Sequence, residues 1–285
     1  MRYLMQKLFY FIALVKFEHT IFALPFVYIG GILGYNQIMP FYYWFWMTLA
    51  MVGARTGGML FNRIIDVEID KKNPRTANRP IITGGITKKE ASLALFASLV
   101  LFFFSAYKLN LVCFSLSPIA LFLLWSYPFT KRFTYLSHFY LGLCLSCAPI
   151  GGFLATNLSL NLPILILAIF VVLWVAGFDI IYAILDIDFD REQNLHSIPA
   201  KFGLKKALMI SFILHVISFF ILVLFGILLK FGIFYWVFMV LIAYLFLRQH
   251  LIIKDLSRIN ESFFTMNALV SILLFIFIFL YYALE

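Results

Sequence analysis

Two stretches of the chain carry acids at helical spacing. In Asn62-Arg63-Ile64-Ile65-Asp66-Val67-Glu68-Ile69-Asp70, the residues Asn62, Asp66 and Asp70 recur every four positions. Between Asp179 and Asp190, the residues Asp179, Tyr182, Asp186 and Asp190 recur at intervals of three or four. On a helix each set shares one face, whereas Glu68 and Asp188 point elsewhere and read as acids reaching water. Like charges one turn apart weaken a helix by roughly 0.2–0.5 kcal/mol, and acids near a helix C-terminus face the negative end of its dipole. Two such stripes therefore imply a bound cation. Clustered oxygens without His or Cys select a hard metal such as Mg²⁺, which completes its shell with water and substrate phosphates. The expected metal-holding residues are Asn62, Asp66, Asp70, Asp186 and Asp190, the four aspartates being the catalytic core. Their charge of about −4, a diphosphate of about −3 and two Mg²⁺ of about +4 leave a negative remainder that basic side chains must meet. Lys71, Lys72, Arg75 and Arg79 follow the first stripe, and Arg191 and Lys201 follow the second.

The elements that position these residues are membrane helices. The chain has 285 residues, of which 64% are apolar and 12% charged, and its mean hydropathy is +1.00. A soluble domain carries roughly 25% charged residues, so the solvent for most of this chain is lipid. Continuous apolar runs favour helices over a barrel. The runs predict nine spans, at 9–35, 41–65, 91–108, 111–127, 135–156, 162–186, 207–229, 231–250 and 264–284, in an all-α polytopic membrane protein. The run after Arg2 and Lys7 continues to about Gly34 without a small-residue cleavage site, and reads as a retained first helix. The whole chain, 1–285, reads as one domain.

Sidedness follows from Lys and Arg. With the N-terminus inside, one side receives Arg2, Lys7, Lys71, Lys72, Arg75, Arg79, Lys88, Lys89, Lys131, Arg132, Arg191, Lys201, Lys205, Lys206, Arg248, Lys254 and Arg258. The other receives only Lys108 and Lys230. The N-terminus and both long polar loops, 66–90 and 186–206, are therefore expected to be cytoplasmic, in the inner (plasma) membrane. The net charge of +9 reflects this distribution, and no basic soluble segment exists to bind nucleic acid. The two motif regions also read as a weak internal repeat. Each runs helix, acidic stripe, polar loop with Pro and Gly, then Lys88-Lys89 or Lys205-Lys206 opening a helix. Repeated halves commonly place a membrane site at their interface.

Several other residues bear on the site. Arg55 lies one face with Asn62 and Asp66, and a charge inside a span costs about 2.5 kcal/mol or more. It reads either as an interfacial Arg or as a bidentate clamp for an acceptor carboxylate. Lys16, Glu18 and His19 interrupt the first span, as an ion pair or as pocket lining. Cys113, Cys144 and Cys147 pack within apolar helices, with no disulfide. His138, His196, His215 and His250 are scattered and read as non-catalytic. The Gly30-Gly31 and Gly57-Gly58 pairs permit close helix contact. Aromatic rings, including 35 Phe, could line a cavity and stabilise a cation.

At these residues the sequence resembles the UbiA family of intramembrane prenyltransferases. The first motif is similar to the family's N-D-x-x-D-x-x-x-D. Here Arg63 replaces the first Asp, so Asn62, Asp66 and Asp70 carry over and that Asp does not. Asn73-Pro74-Arg75-Thr76-Ala77-Asn78-Arg79-Pro80 resembles the family's polar loop. The second motif resembles D-x-x-Y-A-x-x-D-x-x-x-D at Asp179, Tyr182, Ala183, Asp186 and Asp190, and Tyr127 to Lys131 resembles Y-x-x-x-K. The resemblance implies nine helices around a central cavity. It also implies Mg²⁺-dependent transfer of a polyprenyl group from its diphosphate to an aromatic acid, often in quinone synthesis. Substrate contacts are expected from Arg55, Asn62, Lys71, Arg75, Arg79, Tyr127, Lys131, Asp179, Tyr182 and Lys201. The acceptor stays open between a 4-hydroxybenzoate-like acid, a naphthoate for menaquinone and a haem. A cation-coupled transporter is the rival of another class, and would hold its acids near the midplane.

Overall fold

The computed structural model describes residues 2–16 and 20–284, and those residues contain helices and no strand. The helices are α1 (Arg2–Val15), α2 (Thr20–Tyr35), α3 (Phe41–Ile65), α4 (Val67–Lys72), α5 (Lys88–Leu109), α6 (Leu111–Thr130) and α7 (Ser137–Thr156). They continue with α8 (Leu162–Ala183), α9 (Ile187–Glu192), α10 (Ile198–Leu228), α11 (Ile233–Ile252), the single turn α12 (Ile259–Glu261) and α13 (Asn267–Leu284). Among the described residues, seven helices are long and apolar enough to cross a membrane. They are the long helices from α5 onward, with α9 continuing α8 and α12 preceding α13. Phe41–Ile65 spans the expected residues but carries Arg55, Asn62 and Arg63, and it is not among the seven.

The expected single helix at 9–35 is corrected to two helices. α1 stops at Val15, and Lys16 adopts a left-handed φ of 50° that ends it. α1 is 14 residues long and two-faced. Met5, Leu8, Phe9 and Ile12 are exposed, while Leu14 and Val15 are buried. Glu18 and His19 lie outside the described residues. The narrow α5–α6 break is real: Asn110 alone connects them in extended conformation, and its Oδ1 accepts the Cys113 N–H at 2.8 Å.

Helix starts follow their capping chemistry. Thr87 and Glu90 form a reciprocal capping box at the start of α5. Asn161 and Ser197 cap α8 and α10, each followed by Pro in the first turn. α10 contains a break at Gly203, where φ is +78°. Gly tolerates that value without the Cβ clash other residues meet.

Two compact units are present. The first comprises Met1–Thr20 and Phe45–Pro128, the second Ile21–Trp44 and Phe129–Glu285. In the first, Leu14, Val15, Leu60, Val67, Ile81, Ile86 and Ala91 form a buried cluster that gathers α1, α3, α4, the 73–87 loop and α5. In the second, α8 packs against α7 and α10. Fully buried Trp174 stacks on Phe170 with centroids 5.7 Å apart and lies 5.4 Å from Phe26. Of the two expected glycine pairs, Gly30 is the one whose added Cβ would strike backbone, at the Pro149 carbonyl. An added Cβ at Gly57 or Gly58 would meet side-chain atoms alone among its three nearest neighbours, Leu99 first at Gly57 and Leu124 at Gly58.

Candidate active site

Each acidic stripe was expected on one helical face where a span meets a polar loop, and each is bent at Asp66 or Asp186. α3 ends at Ile65, and Asp66, with φ −97° and ψ 10°, opens the six-residue α4. α8 ends at Ala183, a single 3₁₀ turn covers Ile184–Asp186, and Asp186, with φ −114° and ψ 12°, opens the six-residue α9. Both aspartates thus occupy the bridge region of backbone space, and Asp readily takes the non-helical position before a helix. The next acid, Asp70 or Asp190, is buried inside the short helix. Glu68 and Asp188 are exposed, as expected. The internal repeat therefore extends to backbone geometry.

In the first motif helical register survives the bend. The Asp66 N–H donates to the Asn62 carbonyl at 3.0 Å, and the Asp70 N–H donates to the Asp66 carbonyl at 2.8 Å. Arg63 is buried, and its role had no signal in the spacing. Its Nε donates to the Leu14 carbonyl at 3.2 Å, near the end of α1. Its Nη1 donates to Asn62 Oδ1 at 2.9 Å, and Asn62 Nδ2 donates to Asp66 Oδ2 at 2.9 Å. The guanidinium thereby orients the amide, and the amide orients the carboxylate. Asp70 Oδ2 is ion-paired with Arg79 Nη1. Thr76 Oγ1 donates to the Asp70 carbonyl at 2.8 Å, and Asn73 Oδ1 accepts the Arg75 N–H at 2.9 Å. These bonds fold the 73–79 loop onto α4. Lys71, Lys72 and Arg75 are exposed, and Arg55 is half-buried on α3.

In the second motif Asp190 Oδ2 accepts the Ser197 hydroxyl at 2.8 Å. Asp179 Oδ2 lies 2.7 Å from Nδ1 of buried His138. Tyr182 packs on Phe263, with ring centroids 4.3 Å apart. Lys201 is exposed, and its Nζ lies 3.9 Å from the Tyr135 ring centroid, a cation–π contact. Arg191 donates Nε to the Ala200 carbonyl at 2.8 Å, so it braces the start of α10. Tyr127 and Lys131 are half-buried at the end of α6 and just beyond it. The Lys131 carbonyl accepts the His196 N–H at 2.6 Å, tying that connection to the loop before α10.

The donor set suits a hard divalent ion. Each motif supplies two carboxylates one turn apart, with no thiol. Among the described residues no three acidic, His or Cys side chains are gathered for a metal ion.

The sequence matches the UbiA prenyltransferase family over residues 23–280. The chain belongs to that family. A 4-hydroxybenzoate octaprenyltransferase from Francisella tularensis subsp. mediasiatica is 30% identical over 230 residues, covering 80% of this chain and 81% of the relative. One from Providencia stuartii is 36% identical over 230 residues, covering 80% and 79%. The apo structure of a UbiA homolog from Aeropyrum pernix K1 superposes with a TM-score of 0.82 at 36% identity, covering 90% of this chain and 95% of that one. A UbiA homolog from Archaeoglobus fulgidus, solved bound to GPP and Mg²⁺, has a TM-score of 0.74 at 20% identity, covering 95% and 99%. This UbiA chain is thus an all-helical membrane prenyltransferase.

Proposed function

We propose that this UbiA chain transfers a polyprenyl group from polyprenyl diphosphate to a 4-hydroxybenzoate-like aromatic acid in quinone biosynthesis, with Mg²⁺ as cofactor. The observation that carries the reading is the repeated device of a bridge-region aspartate opening a short helix that buries a second aspartate. Polyprenyl diphosphate and Mg²⁺ suit that device, because carboxylate pairs leave coordination positions to phosphate oxygens. The names of the relatives in Francisella and Providencia support the acceptor class. The whole chain, 1–285, acts as one domain, with its N-terminus and both motif loops on the cytoplasmic side, as the Lys and Arg distribution supports.

Asp66, Asp70, Asp186 and Asp190, with Asn62, would hold two Mg²⁺ ions. When bound, Mg²⁺ neutralises charge that grows on the departing diphosphate. Lys71, Arg75, Arg79, Lys131 and Lys201 bind the same diphosphate and share its charge, and Tyr127 helps to seat it. Arg55 holds the acceptor carboxylate in a two-pronged hydrogen bond. Asp179 and Tyr182 orient the reacting groups. As the C–O bond to diphosphate breaks, the allylic carbon bonds to the ring carbon ortho to the phenol. That carbon then loses its proton.

The test uses membranes carrying the full chain, one polyprenyl diphosphate, Mg²⁺ and a panel of hydroxybenzoates and naphthoates, with products read by mass spectrometry. A prenylated hydroxybenzoate, absent with Asp66→Ala or Asp186→Ala, is the expected result. Wild-type rates from either variant would refute the site, and product from a naphthoate alone would refute the acceptor.

A further inference from the structure

The second motif is held by a residue its spacing does not reveal. His138, the second residue of α7, is fully buried. Its Nε2 accepts the backbone N–H of Ile198 at 3.3 Å. A ring nitrogen that accepts carries no proton, so the proton sits on Nδ1 and is donated to Asp179 Oδ2 at 2.7 Å. Ile198 is the first residue of α10, and its N–H is among those that no carbonyl of its own helix reaches. Ser197 caps the same helix end by accepting the Ala200 N–H at 3.2 Å, and it donates its hydroxyl to Asp190 at 2.8 Å. Asp179 and Asp190 are therefore the ends of one chain of contacts that runs through His138 and the first residues of α10. Ile198 is anchored beside it in a buried cluster with Ala176, Ile180, Ala207 and Leu214, against which Tyr135 and Phe139 pack.

We infer that His138 is a positioning residue for the prenyl-transfer site. It sets the Asp179 carboxylate directly, and it sets Asp190 through the start of α10. The inference rests on the reading that this motif serves the diphosphate. Both ring nitrogens are committed and the ring is sealed from solvent, so its part is to hold rather than to exchange a proton with substrate.

Two substitutions separate the two arms. His138→Asn keeps an amide N–H where Nδ1 stood and loses the acceptor for Ile198. His138→Gln can place an amide oxygen where Nε2 stood and loses the donor to Asp179. Hydrogen–deuterium exchange on the purified, metal-free full chain reads the first arm. Exchange at the Ile198 amide should rise in His138→Asn and stay near wild type in His138→Gln. Kinetics with polyprenyl diphosphate and Mg²⁺ read the consequence. Both variants should raise KM for the diphosphate or lower kcat, His138→Gln by about tenfold or more, the worth of one hydrogen bond to a charged group, and His138→Asn by about two- to tenfold, the worth of a neutral one. Should His138→Ala fail to fold, these two variants still decide the matter. Wild-type protection at Ile198 in His138→Asn would overturn the inference. So would wild-type kinetics in both variants while Asp190→Ala is inactive. Full activity in Asp190→Ala would instead overturn the reading of the site.

Discussion

Asp70 and Arg79, nine positions apart, are joined as an ion pair in which the carboxylate side chain is 12% exposed and the guanidinium side chain 20%. The pair folds the polar loop back over α4 and holds a cation beside a carboxylate that is expected to meet a metal. Removing Arg79 leaves a nearly buried acid without that partner.

Arg79→Ala is expected to lower kcat/KM for polyprenyl diphosphate by about 10- to 100-fold, the range for losing one hydrogen bond to a charged group. Arg79→Lys should recover part of it, because Lys supplies the charge without the planar fork. Steady-state kinetics in detergent would measure both.

Arg63 serves two masters, the end of α1 and the Asn62–Asp66 pair. Arg63→Met should destabilise the protein by roughly 1–3 kcal/mol, because the buried groups it satisfied lose their donor. It should also weaken magnesium binding through Asn62. A lowered thermal midpoint, together with a raised magnesium concentration for half-maximal activity, would be the paired signature.

Gly152 and Gly151 are neighbours with opposite demands. A Cβ at Gly152 would overlap the Val27 carbonyl of α2, whereas one at Gly151 would meet no atom within 4 Å. Gly152→Ala should cost about 1–3 kcal/mol or more by forcing two helix backbones apart. Gly151→Ala should melt at or slightly above the wild type, because Ala is the better helix former where its Cβ has room. Thermal unfolding of the two purified variants side by side makes the comparison.

Arg55→Ala is expected to raise KM for the aromatic acid by about tenfold or more while leaving KM for the diphosphate near wild type. An ester of the same acid, lacking the carboxylate charge, should lose the discrimination between the two proteins. Equal effects on both substrates would assign Arg55 to general packing.

Divalent-ion removal gives the last expectation. A chelator should abolish transfer, and added Mg²⁺ should restore it, with product formation as the readout. Activity unaffected by chelation would reject the metal assignment.

The membrane character, the helical class and the two acidic stripes were legible in the residues themselves. Hydropathy and a period of 3.6 are local properties, so Phe41–Ile65 could be bounded to the residue and Lys88–Leu109 and Leu111–Thr130 told apart at Asn110. Glu68 and Asp188 could be set aside as solvated for the same reason. The tertiary structure alone decided which partner each polar group takes. His138 meets Asp179 across 41 residues and Ile198 across 60, and Arg63 reaches Leu14 across 49. Nothing in local spacing encodes such pairings, because they arise only when helices remote in sequence pack and buried polar groups must find donors and acceptors there. The short helices after Asp66 and Asp186 and the end of α1 at Lys16 belong with them: from the residues alone the polar loops read without those helices, and the 9–35 run as one helix, because each is a backbone choice that the surrounding packing makes.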